Sequence, residues 1–167
     1  MQDGLLHPAL VHVPIGLALV TPFVALMVLV AWRRGSWPAS SWAVVVMLQA
    51  VMFGFSVAAT RTGEAEEERV ERIVPEKALE EHEEAGERFM WVAGVEFALG
   101  AVAWGLRASP VSVPVAIAST LVAVGGAAFA FRTGALGGEL VYRHGAAEAW
   151  RSPEVSSTPV SGDESYD

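Results

Sequence analysis

The sequence predicts an all-α fold, an integral membrane four-helix bundle built from two duplicated helical hairpins. Three observations predict it. Hydrophobic residues make up 53% of the 167 residues, with a mean hydropathy of +0.40. They gather in four blocks, roughly Ala9 to Trp32, Trp42 to Thr60, Gly86 to Leu106 and Val111 to Phe131, each close to the ~20 residues that cross a hydrocarbon core. Histidine, glycine and arginine recur in the same order in both halves.

The first block opens on His7-Pro8-Ala9-Leu10-Val11-His12-Val13-Pro14-Ile15-Gly16. Pro14 suits a first helical turn, where its missing N–H is no loss, and Pro22 predicts a kink deeper in the membrane. No basic residue precedes the block, so it lacks the positive leader of a secretory signal and reads as a retained helix. Arg33 and Arg34 close it, and Trp32, Trp37 and Trp42 surround the Gly-, Ser- and Pro-containing turn that follows. Tryptophan beside basic residues marks a membrane interface.

The second block ends at Thr60-Arg61-Thr62-Gly63. Eleven glutamates then fall between Glu64 and Glu87, an acidic connector whose simplest reading is a solvated surface. Leu79, His82, Ala85 and Phe89 stand at helical spacing, so the third helix begins before the membrane and runs into it. Arg107 to Pro110 turns the chain into the fourth block, which closes on Arg132-Thr133-Gly134. The stretch Gly137 to Gly145 is too short and polar to span. Residues 1–145 thus form the transmembrane domain, and 146–167 read as a disordered acidic tail.

A net charge of −8 argues against nucleic acid as a partner. With no cysteine there is no disulfide, thiolate metal site, iron–sulfur cluster or covalently attached haem.

The repeat carries the chemistry. His12 lies 49 positions before Arg61, and His82 lies 50 before Arg132. Gly16 and Gly86 each follow their histidine by four, and Gly54 and Gly125 each precede their arginine by seven. Histidine at a helix start and arginine at a helix end place all four at one membrane face. Each glycine shares a helix face with its polar partner. Two-fold-related halves would bring His12 and His82 together across a slot floored by four glycines. Opposed imidazoles, flat space and two cations at the rim suit a b-type haem: axial histidines, arginines on the propionates.

Plainer readings exist for each residue. Membrane glycines often only permit close helix contact, and an arginine at a helix end is usually an interfacial anchor. His7 could cap a helix, and His144 could be solvated. An intramembrane histidine has the weakest such alternative, because it is costly and does little for packing. Gln49 and Glu96 sit at similar depth, where they can hydrogen-bond; a structural pair is the simplest reading, and a proton or quinone role is the other.

HPALVHVPIGL, ATRTG and FRTGALGGELVYRHG together resemble the bacterial predicted-membrane-protein family catalogued as domain of unknown function 2231. The likeness runs from His7 to about Gly145. It implies a four-helix membrane module, in some members found beside redox domains, and it supplies no established activity.

The expected function is electron transfer through bis-histidine haem b near one face, an electron carrier more than an enzyme. One haem is expected, and a second if His7 and His144 ligate it. The alternatives are a zinc, copper or iron module using the four histidines, or a cofactor-free structural subunit. The bilayer is one partner, a redox protein or quinone another, and a further copy of the chain one the sequence allows. The setting is the bacterial inner membrane. The first helix, with arginines only after it, puts the histidine-bearing face and both termini outside, although eight of the eleven basic residues lie on that same face.

Overall fold

The computed structural model describes residues 6–150, and every regular element among them is helical. The chain opens on a short helix α1, Leu6–Leu10, followed by α2, His12–Arg33. Pro14 accounts for the break between them. It cannot donate to the Leu10 carbonyl, and its ring crowds that group. Within α2, Pro22 is buried and the helix continues through it. Gly35, at φ +71°, reverses the chain after α2.

A 3-10 turn, Ala39–Trp42, leads into α3, Ala43–Val70. After a short connection come α4, Glu76–Gly105, and α5, Ser112–Tyr142, and then a 3-10 turn at Ala146–Trp150. The acidic connector is therefore mostly helix, because Glu and Ala favour helix and extend α3 and α4 beyond their apolar portions. Likewise α5 continues through Gly137 and Gly138 to Tyr142, past the end of its apolar block. The expected tail divides: 146–150 form the turn, and 151–167 lie outside the described residues.

Three stretches are long and apolar enough to cross a membrane: Leu6–Arg33, Ala39–Val70 and Ser112–Tyr142. The sequence reading expected four. α4 differs because its first turns are acidic and Glu96 interrupts its apolar half.

The helices pack in a closed circuit, α2 against α3 and α5, and α4 against α3 and α5. What they bury is small: Ala18, Ala25, Ala93, Ala103, Ala116, Ala123 and Ala130 are all at most 2% exposed. What they expose is large and apolar, with Phe23 at 75%, Phe131 at 73% and Trp91 at 69%. Such inversion is expected in lipid, where apolar side chains gain nothing by hiding and small residues let backbones approach.

Trp42 is the largest exception. It is fully buried among Ala25, Val28, Val45, Ala103 and Ala116, and its Nε1 donates to the Gly100 carbonyl at 3.1 Å. At the other end, Val70, Val74, Leu79, Leu140 and Ala146 form a separate cluster that ties together the ends of α3, α4 and α5.

Trp42→Phe keeps the aromatic bulk and removes only the donor. The Gly100 carbonyl lies within α4 and keeps its helix partner, so the loss is that of one additional intramembrane hydrogen bond, roughly 0.6 kcal/mol on average and up to about 1.7 kcal/mol. Thermal unfolding in detergent should show a loss in that range. A change indistinguishable from zero would mean that this additional bond contributes nothing to stability.

Candidate functional site

Two histidines meet where α1 docks beside the outer turns of α3, α4 and α5. The rings of His7 and His82 lie 6.3 Å apart between centroids, with planes at 90°. His7 Nδ1 is 2.8 Å from the Ala59 carbonyl, so it donates there. Thr62 Oγ1 stands 3.5 Å from the same nitrogen. The free face of His7 rests on Gly63, where an added Cβ would come within 3.2 Å of its Cε1.

His82 has a matching seat on α5. A Cβ at Gly137 would come within 3.0 Å of its Cε1, and the Thr133 backbone favours a proton on its ring. No hydrogen bond of good geometry reaches its buried Nδ1, however. The spacings correspond to within one residue. His7 precedes Ala59 by 52 and Gly63 by 56, and His82 precedes Thr133 by 51 and Gly137 by 55.

The other residues singled out from sequence fall elsewhere. His12 is exposed, with Nδ1 2.5 Å from the Pro8 carbonyl one turn back on its own chain. The ring facing His82 is thus that of His7. His144 borders a small cavity of about 60 Å³ with Glu81 and Glu139. Gly16, Gly54 and Gly125 face outward, and a Cβ on any of them would meet nothing within 4 Å. Gly86 lies inside, near the Thr133 methyl at 3.9 Å. Arg61 and Arg132 are exposed, each one residue from a threonine of the site, Thr62 and Thr133. Ala59, Gly63 and Gly137 were given no role from sequence, although Gly63 and Gly137 sit inside the quoted motifs.

The charge around the pair is negative. Glu83 is held above the usual carboxylate range by partial burial and then by the carboxylates of Glu67, Glu64, Glu87 and Glu71. Such a field concentrates cations. Burial, and secondly the adjacent His7, hold His82 below the ordinary histidine range, leaving its ring neutral and able to ligate. Metal–nitrogen bonds of about 2.0–2.1 Å on either side of one ion, plus two imidazole radii, set ring centroids roughly 6 Å apart. The observed spacing fits. His7 also has the second-shell carbonyl that fixes a ligating imidazole, which leaves Nε2 for the metal. Among the described residues no third His, Asp or Glu joins them.

An all-helical membrane protein with a paired-histidine site is the class these observations define. A family model described as "Predicted membrane protein", domain of unknown function 2231, matches residues 5–149, and the chain belongs to that family. Comparison with curated proteins and with solved structures gave no match.

The depressed His82 value sets a pH dependence. The folded protein binds fewer protons than the unfolded chain below the ordinary histidine value of 6.5. Stability should be full above that value and decline as pH falls toward the depressed folded one. Melting temperatures of metal-free protein across this window should show the decline, and His82→Asn should flatten it. An unchanged profile in that variant would assign the pH dependence to other groups.

Proposed function

We propose that the chain is a membrane electron carrier in which His7 and His82 are the axial ligands of a haem b. The 6.3 Å approach of the two imidazoles carries this reading. Two protein ligands without a third suit an ion whose remaining positions a macrocycle fills. When bound, haem supplies one-electron chemistry. The chain's own residues would do the holding: Ala59 orients His7, Gly63 and Gly137 make room for the rings, and the exposed Arg61 and Arg132, each next to a threonine of the site, would pair with the propionates. With both axial positions taken by protein, electron transfer is favoured over oxygen chemistry.

The architecture proposed with it is a four-span bundle of two duplicated hairpins. α4 exposes Trp91, Val95, Val102 and Trp104 as a lipid-facing helix would, and the matched seats of His7 and His82 support the duplication. The setting proposed is the bacterial inner membrane with the histidine end outside. The partner is a redox protein or a quinone. A second reading, a site for a transition metal ion such as copper, draws on the acidic residues around Glu83.

Purified protein made with ample haem should show a low-spin b-type spectrum that binds carbon monoxide poorly. His7→Ala and His82→Ala should each abolish it or give a five-coordinate, carbon-monoxide-binding form, whereas His12→Ala and His144→Ala should be mild. Arg61→Ala and Arg132→Ala should keep ligation and loosen the cofactor. Each lost charge-assisted hydrogen bond is worth roughly 1.5–3 kcal/mol, or about one to two decades of affinity. A colourless protein rich in copper would favour the second reading, and dependence on His12 in place of His7 would refute the pairing.

Sidedness has its own test. Cysteines placed between Glu64 and Glu76 should label from outside the cell, and one at Ser36 should stay protected. The reverse pattern would invert the orientation.

A further inference from the structure

Halfway along the helices, a second polar group is built into the interior. Glu96 on α4 is 1% exposed, and Gln49 on α3 and Ser119 on α5 are fully buried. Gln49 Nε2 donates to Glu96 Oε1 at 3.2 Å and to Ser119 Oγ at 2.9 Å. Ser119 Oγ in turn donates to the Glu96 backbone carbonyl at 3.3 Å. One amide thus joins three helices.

Glycines make the space. A Cβ at Gly100 would stand 1.9 Å from Gln49 Oε1, and one at Gly126 would stand 3.3 Å from Glu96 Oε2. Any side chain at position 100 would expel the amide. Glu96 is fourteen residues from His82 on the same helix, or ~21 Å along the axis, so this group is separate from the histidine pair.

Among the described residues no cation pairs with the carboxyl. The ion pairs among the described residues are Lys77–Glu81, Arg88–Glu84 and Arg143–Glu139, all on exposed helix surfaces. The polar groups facing Glu96 are Gln49 from α3 and Ser119 from α5, and neither titrates. An ionised carboxylate at this depth, balanced by one amide N–H, is costly. The cluster also has a surplus acceptor, because Gln49 Oε1 is buried without a hydrogen-bond partner. A proton on Glu96 removes the charge and supplies the missing donor. Amide oxygen and nitrogen occupy equivalent volumes. Turned over, Gln49 accepts from a Glu96 O–H; turned back, it donates to a carboxylate. In either orientation the amide keeps a hydrogen bond to the Glu96 carboxyl.

We propose that Glu96, Gln49 and Ser119 form a proton-binding site inside the membrane, in which Glu96 takes up a proton as a neutral carboxylic acid and Gln49 turns to serve either state. Infrared spectroscopy of the full chain in lipid nanodiscs tests it. At neutral pH the wild type should show the carbonyl band of a protonated carboxylic acid. The band should shift in deuterated water, disappear reversibly at alkaline pH, and be absent from Glu96→Gln. Gln49→Leu should move its titration midpoint. No such band at neutral pH, or a band that persists until the protein unfolds, overturns the proposal. So does an ionised Glu96 whose protein melts higher in sodium chloride than in choline chloride, which would mark a sodium site. If Glu96→Gln fails to fold, carbodiimide on the wild type replaces it: an adduct on Glu96 whose yield falls with rising pH supports the site. Unmodified Glu96 together with a missing band refutes it.

Discussion

Hydrocarbon offers no partner to a polar group, and this constraint orders the whole molecule. Each helix satisfies its own backbone, and each polar side chain within the apolar core has to find a partner on a neighbour or on its own preceding turn. Thr21, Ser56 and Thr120 take the second course, donating to carbonyls four residues back. Gln49, Ser119 and Trp42 take the first and thereby fix how α3, α4 and α5 sit against one another. With little hydrophobic force between helices in lipid, these few directed contacts and a lining of alanine specify the packing.

The acidic residues gather at one end of the bundle, where α3 ends and α4 begins. There α3, α4 and α5 project past their apolar portions, held by the cluster around Val70, Val74, Leu79 and Leu140. That cluster is a small core of the water-soluble kind, with branched side chains buried together. It packs the first turns of α4, just before His82, against the ends of α3 and α5.

Most of the fold was legible because its signals are cumulative. Three of the four apolar blocks fall in helices long and apolar enough to cross a membrane, and each rests on many residues. The shared depth of Gln49 and Glu96 also led to a real hydrogen bond. The histidine pairing was harder. Aligning the Arg-Thr-Gly triplets relates the halves by 71 positions, whereas the contacts relate His7 to His82 by 75 and Gly63 to Gly137 by 74. The difference is about one helical turn. A helix resembles itself after one turn, and small residues recur at that interval in both outer segments: Ala59 and Gly63, Thr133 and Gly137. Spacing alone cannot choose between such registers; only a cross-helix contact can. The outward position of Gly16, Gly54 and Gly125 was hidden for a related reason, since periodicity gives a shared face and not which neighbour it meets.

The break at Val11 gives the histidine pair an uneven mounting. His82 belongs to a continuous helix of 30 residues anchored along α3 and α5. His7 rides on a helix of five residues, separated from α2 and seated by the Ala59 carbonyl and the bare backbone of Gly63. The spacing of the two rings therefore depends on how a turn and a half of chain rests on α3, whereas the rest of the bundle is held along whole helices.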